Sequence, residues 1–134
     1  MSFNRFYVIS PLALVAVSAC RSPYTGNTVN GAIVKGPLSN ALVFLDLDGD
    51  GILDDNEVSV RTDSDGSFSI NTSASAYTIV ALTDETTVDS SSGSTLAGIM
   101  LSAPQGAAVV TPTTTLMEEG GLTAEEVAEV LNLP

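Results

Sequence analysis

The chain has 134 residues, with sixteen Asp and Glu against four Lys and Arg, for a formal net charge of −12; it contains no His, no Trp and a single Cys. A surface of that charge repels phosphate backbones and anionic membranes, so nucleic acid is excluded as a partner and a cation is the natural one. Without His or a second Cys there is no imidazole base, no usual zinc ligand set and no internal disulfide, which argues against an enzyme.

The N-terminus has a basic start at Arg5, an apolar run from Tyr7 to Val17, and the small residues Ser18 and Ala19. That three-part build predicts a secretory signal. The apolar run is shorter than the roughly 20 residues a bilayer-spanning helix needs, so export is the better reading. Val17-Ser18-Ala19-Cys20 resembles the lipobox of bacterial lipoproteins. The resemblance implies a signal peptide over 1–19, lipidation of Cys20 and attachment to a membrane through that lipid. Because Arg21 rather than Asp follows the Cys, it further implies the cell outer membrane, on its periplasmic or its surface face. The 115 residues from Cys20 onward suffice for one domain of modest core.

Residues 20–28, rich in Pro, Gly, Ser, Thr and Asn, read as a linker. Seven short β-type runs then alternate with turn clusters: Val29 to Val34, Ala41 to Leu45, Val58 to Thr62, Ser67 to Ile70, Tyr77 to Leu82, Ile99 to Ser102 and Ala107 to Thr111. They predict a mainly β domain over 29–111, a seven-stranded antiparallel β-sandwich. Apolar residues alternate with polar ones in Val58-Ser59-Val60-Arg61 and Ser67-Phe68-Ser69-Ile70, which places one face on the core. Ala41 to Leu45 is apolar throughout and reads as a central strand. Gly36-Pro37, Asp65-Gly66 and the Ser-rich stretch from Asp89 to Ser94 supply turns. The segment 112–134 is helical in pattern, with a short turn expected at Thr113 to Glu119 and a capping box, Thr123-Ala124-Glu125-Glu126, opening a final helix. A helix that short must dock on the sheet to persist.

Half of the sixteen acids fall between Asp46 and Asp65. The twelve residues from Asp46 to Glu57 satisfy the calcium-loop pattern D-x-[DN]-x-[DN]-G-x5-E at every specified position. Calcium takes six to eight oxygens, and alternating carboxylates let a tight loop wrap the ion while the intervening side chains point away. Asp46, Asp48 and Asp50 are the expected carboxylate ligands, Gly51 the sharp turn, Ile52 a backbone carbonyl, Asp54 a direct or water-mediated contact and Glu57 a bidentate carboxylate. Leu53 is expected to tether the loop to the core. Asp63 and Asp65 could lend a carboxylate to a second ion, but Asp-Gly between two strand-like runs is chiefly a hairpin signal. Paired acids could also serve glycoside hydrolysis, yet the loop pattern claims them and aromatic surface for sugar stacking is scarce.

The loop resembles that of an EF-hand over all twelve positions, but its flanks are β-type rather than helical, so a helix-swinging sensor is not expected. Strand-flanked loops of this kind are similar to those in B-type repeats of bacterial surface adhesins, which implies a structural ion. Gly31 to Val34, Gly36 to Leu45, Thr62 to Ile70 and Tyr77 to Ala81 together resemble the carboxypeptidase regulatory-like domain. That resemblance covers about residues 29–83 and implies a transthyretin-type, Ig-like sandwich used as a non-catalytic accessory module, with the calcium loop inserted where the family has a plain turn. The stretch from Ser102 onward is similar to the segment C-terminal to such modules in secreted bacterial adhesin-like proteins. The expected role is structural or adhesive, with a protein or glycan partner at the envelope; a carbohydrate-binding accessory module is the alternative.

Overall fold

Short runs of β-branched and aromatic residues, broken every few positions by Gly, Pro, Asp and Ser, favour small sheets joined by tight turns. A computed structural model describes residues 26–132; the signal segment, Cys20 and the first part of the linker lie outside them. The strands are β1 (Asn27–Ile33), β2 (Leu38–Ser39), β3 (Leu42–Asp46), β4 (Ser59–Arg61), β5 (Ser67–Thr72), β6 (Thr78–Leu82), β7 (Val88–Asp89), β8 (Ser94–Thr95), β9 (Met100–Ala103) and β10 (Val109–Val110). Two helices come after them, α1 (Pro112–Gly120) and α2 (Ala124–Val130). All seven expected runs contain a strand. β1 starts two residues inside the expected linker, because Asn27 and Thr28 pair with Thr72 and Asn71.

The strands form three sheets, ordered β10-β1-β5, β4-β3-β6-β9 and β2-β7-β8. The protein is thus mainly β and mostly antiparallel. It departs from seven antiparallel strands in two respects. Three two-residue strands, β2, β7 and β8, make a small third sheet from segments outside the seven expected runs. β1 also pairs with β10 in parallel, Ala32 beside Val109 and Ile33 beside Val110.

Antiparallel partners share a face, so the register sorts the side chains. Val43, Ala81 and Leu101 lie in one cross-strand row and Leu45, Ile79 and Ala103 in another. These rows join Val29 and Ile33 of β1, Phe68 and Ile70 of β5 and Val110 of β10 in one buried cluster. The core therefore draws on both larger sheets. β3 is central, between β4 and β6, and its Val43, Phe44 and Leu45 are all fully buried. Asp65-Gly66 forms the expected turn: Gly66 N–H donates to the Asp63 carbonyl at 3.0 Å and Asp63 N–H to the Ser67 carbonyl at 3.0 Å. Gly66 has φ +82°, and a Cβ there would sit 2.8 Å from the Ile33 carbonyl oxygen, so the turn requires glycine on two counts.

The alternate row, Phe44 beside Val80 beside Ser102, faces the opposite side of the four-stranded sheet, and Asp46 beside Thr78 shares that side. Here α1 docks. Thr111 caps it, with Pro112 in the first turn, where the missing N–H costs nothing. α1 buries no residue; it is tied to the sheet by polar contacts instead. Ser102 N–H donates to Thr115 Oγ1 at 2.9 Å, Thr114 Oγ1 to the Ser102 carbonyl at 2.8 Å, and Ser102 Oγ to Glu119 Oε1 at 3.2 Å. α2 opens with the expected capping box of Thr123 and Glu126 and buries Val127. The Thr123 N–H, donated to Glu126, holds that carboxyl below its ordinary pKa.

Candidate functional site

The loop after β3 is organised by its first acid. Asp46, 3% exposed, accepts three backbone N–H groups: Oδ1 from Asp48 at 3.2 Å and Gly49 at 2.7 Å, Oδ2 from Gly51 at 2.8 Å. Burial raises its pKa, but the hydrogen bonds from Gly51, Gly49 and Asp48 outweigh that and leave it below the ordinary carboxylate value. Asp48 Oδ1 then accepts from Asp50 N–H at 3.3 Å, and Asp50 Oδ1 from Ile52 N–H at 2.7 Å. Each acid turns the backbone for the next. Gly51 has φ +73°, a conformation glycine adopts without steric cost.

This winding brings the side chains of Asp46, Asp48 and Asp50 together, with one carboxylate oxygen of each within 4.8 Å of the others. Two oxygens on one calcium ion at about 2.3–2.6 Å can be up to roughly 5 Å apart, so the three are close enough to share one ion. An all-oxygen, carboxylate-rich donor set suits a hard divalent cation. The Asp50 N–H pulls the Asp48 pKa down, but desolvation and repulsion from Asp50, Asp46 and Asp54 prevail and raise it. Like charges thus crowd in the loop, a strain that a cation relieves.

The other expected ligands lie outside this trio. Asp54 is exposed; its N–H donates to Glu57 Oε2 at 3.1 Å and its carbonyl accepts from Glu57 N–H at 3.1 Å. Glu57 Oε1 accepts from Leu47 N–H at 2.7 Å, so this carboxylate clasps both ends of the loop. The Ile52 side chain is 63% exposed. Leu53 is half-buried and stands apart from the main apolar cluster, so the tether to the core is Asp46 rather than Leu53. Asp63 and Asp65 serve their turn, Asp65 accepting from Ser67 N–H at 3.0 Å, and belong to no metal-capable group among the described residues.

Two acids that the sequence does not single out border the site. A cavity of about 220 Å³ is lined by Asp46, Asp50, Thr78, Met100, Glu118 and Glu119, among others. Thr78, the cross-strand partner of Asp46, donates its hydroxyl to Glu118 Oε1 at 2.8 Å. No local signal marks Glu118 or Glu119 in the sequence, because only the docking of α1 beside β6 and β9 carries them to the loop. Among the described residues no helix is long and apolar enough to cross a membrane. No family model matches the chain, and neither a curated protein nor a solved structure is significantly similar to it.

Proposed function

We propose that the chain is an exported, lipid-anchored protein of the bacterial envelope whose loop 46–57 binds calcium as a structural ion. It acts as a non-catalytic structural or adhesive module. The observation that carries this reading is the gathering of Asp46, Asp48 and Asp50 in a loop that meets the calcium pattern at every specified position. The absence of His from the sequence supports a non-catalytic role. Calcium is favoured over magnesium because magnesium demands near-ideal octahedral geometry and sheds water reluctantly.

Calcium titration of the full chain against a chromophoric chelator tests the loop. The expected affinity is that of extracellular modules, a Kd of about 10⁻⁴ to 10⁻³ M. Asp48→Asn with Asp50→Asn removes two charges without touching the anchoring Asp46, and weakens binding at least about tenfold, or 1.4 kcal/mol. Equal affinity in wild type and variant would refute the assignment. For the anchor, cells grown with a radiolabelled fatty acid label the wild-type chain and not Cys20→Ala, and a wild-type chain that takes up no label would rule out a lipid at Cys20.

A further inference from the structure

We propose that the cation of loop 46–57 also latches α1 to the four-stranded sheet, so that loading the loop fixes the C-terminal helical segment. This inference rests on the calcium reading above and adds a second consequence to it.

Three observations carry it. No side chain of α1 is fully buried, and hydrogen bonds to Thr78 and Ser102 tie it to the sheet. Two of those bonds end on carboxylates, Glu118 and Glu119, which line the same cavity as Asp46 and Asp50. Thr78 holds Glu118 and lies directly opposite Asp46 in the β3–β6 register, on the same face of the sheet. Docking therefore carries two negative charges towards a loop that is already crowded with them. Without a cation that approach is opposed; a divalent ion offsets two of the loop's negative charges and lessens the opposition. Coupling of this kind is reciprocal: the factor by which calcium strengthens docking equals the factor by which docking strengthens calcium binding, within the usual range of about 5–150-fold.

The test is amide hydrogen exchange of the full chain in calcium and in chelator, read separately for Thr115 to Gly120 and for the β3 and β6 amides. Calcium is expected to slow exchange in α1 by about tenfold more than in the strands. Glu118→Gln with Glu119→Gln keeps both acceptor oxygens for Thr78 and Ser102 and removes only the charge. In this variant calcium binds more weakly by the same factor, and α1 exchanges more slowly in chelator than it does in wild type. Raising salt to 1 M, where the screening length is about 3 Å, also slows α1 exchange in chelator without any substitution. Calcium binding that leaves α1 exchange unchanged, or a variant of wild-type affinity, overturns the latch while the calcium site stands. A chain that binds no calcium overturns both.

Discussion

Phe44→Ala is expected to cost about 3–5 kcal/mol, read as a lower urea midpoint at an unchanged slope. Phe44 is fully buried yet lies outside the cluster between the two larger sheets. Its row, with Val80 and Ser102, faces the side on which α1 docks. Alanine would open a void beneath a helix that has no fully buried side chain to settle into it, so little relaxation is available to soften the loss. A domain of this size has about 5–15 kcal/mol in all, and the variant forfeits a large share. A loss under about 1 kcal/mol would mean that the outer face of the sheet is not covered as described.

Calcium is expected to have the next largest effect. At a hundredfold excess over its Kd, an ion that binds only the folded chain adds about 2.7 kcal/mol. For a domain near a hundred residues this raises the thermal midpoint by roughly 4–8 °C per kcal/mol. The Asp48→Asn and Asp50→Asn variant should lose at least about half of this gain at the same calcium concentration while keeping most of its stability in chelator, since neither exposed side chain holds the core. Asp46→Ala should fall further even without calcium, because it strands the N–H groups of Asp48, Gly49 and Gly51. Identical midpoints in calcium and chelator for the wild-type chain would remove the structural-ion reading.

How much of the structure is legible in the sequence depends on how local each signal is. The apolar run Ala41 to Leu45 announces a central strand, because only burial on both faces tolerates it, and β3 lies between β4 and β6. Thr123 with Glu126 announces the start of α2 through side chain–backbone bonds three residues apart. Thr111 caps α1 in the same manner, but its partner is Thr114 rather than Glu or Gln, so the usual motif does not reveal it. β2, β7 and β8 are two residues each, too short for any periodicity to show. In the loop, the spacing of Asp46, Asp48 and Asp50 is enough to foresee their meeting, since each acid folds the backbone for the next. Thr78, Glu118 and Glu119 reach the same place only through long-range packing, which no short pattern encodes.

The parallel pairing of β1 with β10 sets a condition on how the chain can fold. The first strand waits for the last: the Ala32 to Val109 bridge closes nearly the whole domain into one loop, and that closure entropy must be met before its contacts return anything. Until residue 110 is free to pair, one side of β1 is an open edge, exposed to any neighbouring strand. Completion of the domain is thereby deferred until β10 is available, and the segment before it stays pliable until then. A chain truncated before β10 should keep its four-stranded sheet and lose its solubility first.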